Sequence, residues 1–495
     1  MKKLKYFLVL SVFLFFAASG IANAQATNQN TGVVYPTIQA AINAASAGHT
    51  INVAAGIYHE QISILKPLTI NGMDGAVLDG STLAGSTTAV KIKSGNVTFN
   101  NIDATNYTQD GIIIGYESSS PGSLQNVHVT NCTISNIQPG NHGFGIYAGY
   151  QSEDFKRPYG SPRLTAHLDY SGLLIEGNEI FNTDSSAVVL QSITGTPGTL
   201  VVRNNYIHDG ENDGIWIDCA RNIVVEGNVV TNNMDGFYIS SYADNYVANP
   251  SSGWIYEDPW LPHLNGPYSP QNIVIRGNTI SDNTTYGGIY LESGHPSTIF
   301  INDNNITGNT PGVANYLTED VDATGNWWGD KTGPYHPTLN PKGTGDEVSD
   351  YVIFDPWLNG RAFFEVEEAK VDFKKKPDDD KIRVRGSLAI KPGSDGVLET
   401  EPVIVTIGPF ASDPLFMDVK GKGGVWEYDR PKGETGIKKM TIHWKGTEAE
   451  FDIHVDKLED LGWGNPVTVT IQIGDDTWSQ TILMDVKKDK WEYHK

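Results

Sequence analysis

Cysteine, basic residues and long apolar runs are scarce in this chain, and each shortage excludes a class of protein. Only Cys132 and Cys219 occur among 495 residues, so disulfides do not form its framework. Lys and Arg number 35 against 58 Asp and Glu, and the formal net charge of −23 argues against nucleic acid or an anionic membrane as partner. After residue 24, no apolar stretch is long enough to span a membrane.

The first 24 residues have the features of a secretory signal peptide. Three lysines within the first five residues precede an apolar run, residues 6–18, which is too short for a spanning helix. Residues 22–24, Ala-Asn-Ala, form a cleavage site that lacks the cysteine of a lipid anchor. We therefore expect a bacterial protein that is secreted, periplasmic or on the cell surface after cleavage near Ala24.

One phrase, apolar-x-apolar-x-x-Asn-x-apolar, recurs along the chain. It reads LLIEGNEI at 173–180, IVVEGNVV at 223–230 and IVIRGNTI at 273–280, and most neighbouring copies are 22 to 30 residues apart. Its central residues include Asn178, Asn205, Asn228, Asn278, Asn304 and Asn326. Short strands joined by Asn, Gly and Asp turns at this spacing indicate coils of a parallel β-helix, with the asparagines as a ladder at one inner corner.

The segments before and after the repeated phrases also predict structure. Residues 35–48, YPTIQAAINAASAG, predict a short amphipathic helix that plugs the open core. Beyond the repeats, residues 403–430 reappear as 467–495, which indicates a pseudo-twofold β-sandwich or two small packed units. The expected organisation is a signal peptide (1–24), a β-helix domain (25–360) and a C-terminal β-sandwich domain (361–495) of two repeats of about 65 residues.

Residues 35–358 resemble the pectate-lyase-like right-handed parallel β-helix superfamily. The opening TIQAAINAASAGHTINVAAGIYHEQISI is similar to the first coils of pectin methylesterases and of a periplasmic copper-processing β-helix protein. The esterase segments that carry catalytic aspartates are missing, as are the Gly-His-Gly and Arg-Ile-Lys motifs of polygalacturonases. The resemblance implies an all-β, right-handed parallel β-helix with an N-terminal capping helix, and it selects no subfamily.

Alternation along one strand of each coil predicts a column of aromatic side chains on the outer face. In GIWID, residues 214–218, the two isoleucines point inward, which sends Trp216 and Asp218 outward. The column comprises Tyr147, Trp216, Tyr238 and Tyr290. Exposed rings along a groove stack on sugar faces, so we predict a polysaccharide-binding surface. The alternative is a flank packed beneath a covering loop.

Two long insertions, residues 150–172 and 241–271, leave this same strand and are expected to wall a cleft over the column. Their candidate binding residues are Trp254, Trp260, Lys156, Arg157 and Arg163. The cations suit an acidic glycan, because a lyase must neutralise a uronate carboxylate while it removes the α-proton. Solvated loops that merely cover the sheet are the alternative.

Four carboxylates accompany the column and are the candidate catalytic residues. Asp213 and Asp235 occupy the same turn on successive coils, about 5 Å apart, as in a retaining glycosidase. Asp218 and Glu292 lie two coils apart, roughly 9–10 Å, at the upper limit for an inverting pair. Repulsion between neighbours would raise one pKa and supply an acid near neutral pH. The alternatives for Asp213 and Asp235 are ordinary turn residues or a Ca²⁺ site, the one cofactor considered.

The sequence therefore predicts an exported, monomeric protein that acts on a polysaccharide by hydrolysis or β-elimination. A non-catalytic glycan-binding or adhesion protein is the first alternative, because one fold hosts many functions. A periplasmic metal-handling role is weaker, since the chain lacks a cluster of Met, His and Cys. Neither a nucleic-acid partner nor a membrane span is expected.

Overall fold

The structure is a computed structural model in which the chain forms a β-helix followed by an antiparallel sandwich. The expected signal peptide, residues 1–24, lies outside the described residues. Those residues include no helix with the length and hydrophobicity that a membrane crossing requires. The structure describes residues 25–115, 123–137, 143–149, 167–241, 246–249, 253–256, 269–358, 364–373, 380–389, 397, 400–420, 424–432, 434–445, 448–458, 467–474, 476–482, 484–487 and 490–494.

Three sheets, whose strands pair in parallel from coil to coil, enclose one core. In sheet order, sheet 1 comprises Val33–Tyr35, Ala26–Asn28, His49–Val53, Leu68–Gly72, Val97–Asn100, Val127–Thr130, Leu174–Glu176, Leu200–Arg203, Arg221–Glu226, Gln271–Arg276, Ile299–Asn302, Val321–Asp322 and Val352–Ile353; its first two strands are antiparallel. Sheet 2 comprises Gly56–Tyr58, Ala76–Asp79, Asp103–Thr105, Thr133–Ile137, Glu179–Thr183, Tyr206–His208, Val229–Thr231, Thr279–Ser281 and Asn305–Thr307. Sheet 3 comprises Ile62–Ile64, Thr88–Ile92, Asp110–Ile114, Phe144–Gly149, Val188–Gln191, Ile215–Asp218, Asp235–Ser240, Gly287–Leu291 and Val313–Asn315.

The predicted fold class is confirmed, and the strand period of two explains it. Alternate residues such as Ile215 and Ile217 are completely buried, and each coil stacks its equivalents on those of the next. Each fully buried Ile or Val contributes roughly 1.5–3 kcal/mol. Cys132 and Cys219 are both buried as thiols and not joined in a disulfide, and burial raises the pKa of the Cys132 thiol to about 12.

The predicted asparagine ladder runs along an inner corner of the core. Asn228 accepts bonds from the backbone N–H and the side-chain amide of Asn205 at 3.0 and 2.9 Å, and its own amide donates to Asn278 at 2.9 Å. The same bonds link Asn178 to Asn205, Asn278 to Asn304 and Asn304 to Asn326. The ladder therefore pairs polar groups that burial would otherwise leave unsatisfied.

A helix closes the N-terminal end of the core. Ile38–Ala44 is shorter than the predicted amphipathic segment, and the side chain of Thr37 caps its start by accepting from the N–H of Ala40 at 3.1 Å. Ile38, Ala41 and Ile42 are buried. The Glu60 carboxylate accepts from the N–H groups of Ile38 and Gln39 at 2.8 and 2.9 Å. The following coil thus holds the helix in place, at the helix end that favours negative charge.

The C-terminal residues form two antiparallel sheets around a separate core. The larger sheet has the order Asp418–Lys420, Val425–Asp429, Gly436–Lys445, Glu448–Leu458, Asp380–Ala389, Phe364–Asp372, Lys490–His494 and Asp485–Lys487. The smaller has the order Phe410–Ala411, Val403–Ile407, Val467–Ile473 and Asp476–Ile482. Because both sequence repeats share this one core, the arrangement is a single pseudo-twofold sandwich rather than two small ones.

Short two-stranded sheets occur at the edges of the β-helix: Leu168–Asp169 with Ile193–Thr194, Tyr246–Asn249 with Gly253–Tyr256, and Pro334–Tyr335 with Gly345–Glu347. A 3₁₀ turn, Pro296–Thr298, precedes one strand of sheet 1. Trp327, in the last coils of the β-helix, packs against the core of the sandwich. The two domains are therefore in direct contact.

Candidate functional site

Aromatic rings run along the outer face of sheet 3. The register pairs Tyr147 with Val189, Val189 with Trp216, Trp216 with Tyr238 and Tyr238 with Tyr290, as alternation predicts. Trp216 and Tyr238 are stacked with ring centroids 6.2 Å apart and an interplanar angle of 17°. Tyr290 follows at 5.3 Å from Tyr238. We call Trp216, Tyr238, Tyr290, Tyr286 and Tyr316 the aromatic strip.

The rings of the predicted column differ in exposure, and the prediction for the first of them, Tyr147, fails. Tyr147 has an exposed fraction of 0%, so the expectation that this ring is exposed is wrong. It is covered because Phe144, Val189 and Trp216 pack around it. Trp216, Tyr238 and Tyr290 are half-buried. An aromatic contact surface therefore begins at Trp216.

Two exposed tyrosines extend the strip beyond the predicted column. Tyr286 and Tyr316 are 51% and 65% exposed, and their ring centroids lie 5.7 and 4.9 Å from that of Tyr290. Tyr316 directly follows Asn315, which pairs with Leu291, so it occupies the position of Glu292 on the next coil. Aligning VANY with GIYLE would have revealed Tyr316. Tyr286 lies in the segment that precedes the strand Gly287–Leu291. That segment contains no repeated phrase, so no pattern in the sequence pointed to this residue.

Asp218 is buried within a polar network rather than exposed beside the rings. Its exposed fraction is 0%, although it lies on the outer side of sheet 3 as predicted. Its Oδ2 accepts from Gln191 Nε2 at 2.7 Å and its Oδ1 accepts from Ser240 Oγ at 3.0 Å. Tyr147 donates its hydroxyl proton to Gln191. Asp218 therefore has no free oxygen facing the strip, which disfavours direct contact with a substrate.

The same network fixes the orientation of the first ring of the strip. Ser240 donates its hydroxyl proton to Asp218, so its lone pairs are directed elsewhere, and the indole N–H of Trp216 donates to Ser240 Oγ at 2.8 Å. A chain of hydrogen bonds thus connects the carboxylate to the indole. The arrangement assigns Asp218 as a positioning residue for Trp216, in contrast to the catalytic role that the sequence suggested.

Glu292 is the predicted carboxylate that hydrogen-bonds to a ring of the aromatic strip. It follows the strand Gly287–Leu291, two coils from Asp218 as predicted, and it accepts a hydrogen bond from the Tyr238 hydroxyl. Burial raises the pKa of the Glu292 carboxyl, and the bond from Tyr238 only partly opposes the shift. Near neutral pH this group therefore holds a proton more readily than an exposed glutamate does.

Asp213 and Asp235 form a buried dyad at equivalent positions of successive coils, as the sequence predicts. Burial raises the pKa values of both carboxyl groups, that of Asp235 to about 8, and the negative charge of Asp213 adds to the shift at Asp235. Ser186 Oγ donates to Asp213 at 2.7 Å, and the N–H of Tyr286 donates to Asp235 at 2.9 Å. The separation of a retaining pair stays a prediction for these two residues.

The dyad borders the outer face that carries the rings. Phe144 precedes Tyr147 by three residues, as Asp213 precedes Trp216, and the register places these positions in one column. The Phe144 ring has its centroid 5.3 Å from that of Tyr147 and 6.5 Å from that of Trp216. The column therefore faces outward, and Trp216, Tyr238 and Tyr290 lie between the dyad on one side and Asp218 and Glu292 on the other.

The predicted cleft walls lie largely outside the described residues. Lys156, Arg157, Arg163 and Trp260 fall outside them, and Trp254 lies in the strand Gly253–Tyr256, whose backbone pairs with Tyr246–Asn249. In the part of the chain that the structure describes, no group of three or more His, Cys, Asp or Glu residues could hold a metal ion. The described residues therefore supply no set of ligands for the Ca²⁺ site that the sequence offered as an alternative.

Comparison with known proteins agrees with the architecture. Residues 68–251 match the family described as right handed beta helix region, which confirms the resemblance inferred from the repeats. The protein is therefore a right-handed parallel β-helix protein. No curated protein matches its sequence.

Solved structures of other proteins align with the chain at low identity. The Dettilon tailspike protein gp208 is 11% identical with a TM-score of 0.32, over 82% of this chain and 87% of that chain. The alginate lyase from Paenibacillus sp. str. FPU-7 is 15% identical with a TM-score of 0.26, over 63% and 95%. The tailspike gp49 from Acinetobacter baumannii bacteriophage Fri1, a capsular polysaccharide depolymerase, is 7% identical with a TM-score of 0.26, over 90% and 78%.

Proposed function

We propose that this protein binds a polysaccharide chain along the aromatic strip and that Glu292 takes part in cleaving it. The observation that carries the proposal is the continuous run of half-buried and exposed rings from Trp216 to Tyr316, with Glu292 hydrogen-bonded to one of them. The strip crosses four coils, roughly 14 Å at the strand spacing. Rings fixed at this spacing suit the apolar faces of successive sugars, while the carboxylate contacts their hydroxyl groups.

Hydrolysis fits the described surface better than β-elimination. A glutamate whose pKa is raised by burial suits the protonation of a glycosidic oxygen. The strands of sheet 3 from Phe144 to Asn315 contain no Lys or Arg that could neutralise a uronate. The Lys156, Arg157 and Arg163 set, which would favour an acidic glycan, lies outside the described residues, so the acidic substrate stays a prediction.

Binding without cleavage is the second candidate, and one observation favours it. Both oxygens of Asp218 are occupied by Gln191 and Ser240, and Asp213 and Asp235 are only 4% and 2% exposed. None of the other three predicted carboxylates is then accessible as a partner for Glu292. A glycan-binding surface protein needs only the rings. Export through the N-terminal segment belongs to both candidates and stays a prediction.

A panel of neutral and uronate polysaccharides tests the proposal. Binding is measured by calorimetry, and cleavage by new reducing ends and by the absorbance of unsaturated products. We expect Trp216→Ala to weaken binding at least about five-fold, since a ring contact contributes roughly 1 kcal/mol. Phe416→Ala, which removes an exposed ring of the C-terminal sandwich, is the matched control.

Variants of two carboxylates separate the candidates. We expect Glu292→Gln to abolish the appearance of reducing ends while binding persists. Asp218→Asn should weaken binding and shift the Trp fluorescence, because its effect passes through Ser240 to Trp216. Binding without any product would leave the binding-only candidate. The absence of binding to every polysaccharide, with the folded state intact, would contradict both.

A further inference from the structure

A stripe of apolar side chains lies on the outer face of sheet 1, away from the aromatic strip. Its members are cross-strand neighbours on five successive coils: Leu174, Val201, Val224, Val274 and Phe300. The first four are partly exposed and Phe300 is 40% exposed. Contiguous exposed apolar surface of this kind is unusual on a monomer and marks an interaction site. We call these residues the apolar stripe.

A ladder of alternating charges flanks the apolar stripe. Two residues further along the same strands stand Glu176, Arg203, Glu226 and Arg276, which the register pairs in that order. Within the chain, Arg203 bonds Glu176 at 2.7 Å and Arg276 bonds Glu226 at 2.7 Å. The arginine side chains remain 40% and 56% exposed. The charge order along the sheet is therefore negative, positive, negative, positive, and the guanidinium groups are accessible.

We propose that a second copy of this chain docks on this face, with the two β-helices antiparallel and related by a twofold axis. An axis along the strand direction, between the coils of Arg203 and Glu226, brings Arg203 of one copy opposite Glu226 of the other. The same operation brings Glu176 opposite Arg276 and the apolar stripe opposite itself. An isologous contact needs a self-complementary surface, and the alternating order provides one.

The charge order also selects the direction. Parallel copies related by an axis that runs along the charge ladder would place each ladder residue opposite its own equivalent, so that glutamate meets glutamate and arginine meets arginine. An axis along the apolar stripe would instead place the four charged residues opposite Gly172, Thr199, Asn222 and Asn272, none of which carries a charge. Like charges opposite each other cost several kcal/mol and suppress wrong arrangements. The antiparallel dimer satisfies every charged position, whereas the parallel dimer satisfies none.

The size of the face sets the strength of the contact. Six strands, from Val127–Thr130 to Ile299–Asn302, each present about four residues, which gives about 29 by 13 Å, or about 400 Å² per copy. An interface of about 800 Å² in total belongs to the weak, transient class. The dimer should therefore dissociate on dilution. The proposal replaces the monomer that the sequence predicted with a chain that associates weakly. The opposite sheet stays free, so docking leaves the aromatic strip accessible.

Sedimentation velocity over a wide concentration range tests the dimer. We expect the wild-type chain to shift toward dimer as concentration rises, and Val224→Asp to abolish that shift. Val229→Asp, an equivalent change on the outer face of sheet 2, is the matched control and should dimerise as wild type. Thermal unfolding of each variant verifies the fold. A wild-type chain that stays monomeric at the highest concentration would overturn the proposal, as would a Val224→Asp chain that still dimerises.

A charge-inverted chain tests the antiparallel arrangement. Glu176→Arg, Arg203→Glu, Glu226→Arg and Arg276→Glu together preserve the pairs within the chain and the complementarity between antiparallel copies. We expect this variant to form homodimers but not to mix with the wild type, because mixed antiparallel pairs oppose like charges. Fluorescently labelled chains report the mixing. Preferential mixed dimers would indicate parallel packing and would overturn the antiparallel assignment.

Discussion

At the residue scale, the raised pKa of Asp235 makes stability depend on pH. The pKa of Asp235 is raised to about 8, so the folded chain retains a proton that the unfolded chain releases above about pH 4. Stability from this group is therefore complete below pH 4 and falls as pH rises from 4 to 8. We expect Asp235→Asn, which stays neutral, to raise the free energy of unfolding by about 2 kcal/mol at pH 8 and little at pH 4.

Denaturant unfolding of wild type and variant at pH 4, 6 and 8 measures that difference. The exposed Asp320→Asn serves as control and should give the same small change at every pH. An Asp235→Asn chain no more stable than wild type at pH 8 would contradict the raised pKa of Asp235. The result is independent of whether the protein cleaves a glycan.

Single residues also show what the sequence can and cannot supply. Alternation placed Tyr147, Trp216 and Asp218 on the outer side of sheet 3, because the side of a strand depends on local parity. Burial depends on neighbours that are distant in sequence. Phe144 and Val189 cover Tyr147, and Gln191 and Ser240 enclose Asp218, so two candidates expected at the surface are buried.

At the element scale, the asparagine ladder contributes stability that its individual bonds understate. Asn228 donates to Val202 O and Asn278 Oδ1 and accepts from the backbone and side chain of Asn205, all in the buried corner. We expect Asn228→Ala to lower the free energy of unfolding by about 3 kcal/mol or more, because several buried polar groups lose partners at once. Asn272→Gly, at an exposed strand position with positive φ, should cost less than about 1 kcal/mol.

Equilibrium unfolding in denaturant compares the two asparagine variants. An equal loss for Asn228→Ala and Asn272→Gly would contradict the importance of the buried ladder. The comparison is matched because the two changes each remove one asparagine, from neighbouring coils. It separates the buried amide from the exposed one, which sequence alone presents as the same amino acid.

A second ladder was missed although the sequence contains its signal. Asn233, Asn283 and Asn309 hydrogen-bond in succession, and Asn309 donates to Asp346 at 2.9 Å. Each of the three asparagines follows a member of the first ladder by five residues. The spacing is regular, but the ladder covers few coils and ends on an aspartate. In the sequence, its members therefore cannot be distinguished from asparagines that occupy ordinary turns. Its burial, again, is a property of the stacked coils.

At the scale of the whole molecule, the sandwich is closed by an exchange of strands between its two repeats. The hairpin of the first repeat, Asp418–Lys420 with Val425–Asp429, pairs with Gly436–Lys445 of the second. The hairpin of the second repeat, which ends with Lys490–His494, pairs with Phe364–Asp372 of the first. The duplication in sequence predicted the symmetry. It did not predict the exchange, because identical repeats pair equally well within and between themselves.

The exchange implies that neither repeat folds alone. In a chain that ends after Lys432, Val425–Asp429 and Phe364–Asp372 each keep one neighbouring strand and lose the other, and half of the shared core is gone. We expect limited proteolysis to digest residues 361–432 of this chain while the β-helix, with its own core, survives. The full chain should resist at both domains. Protection of 361–432 in the shortened chain would instead mean that each repeat closes on itself, with the exchange being one of two accessible pairings.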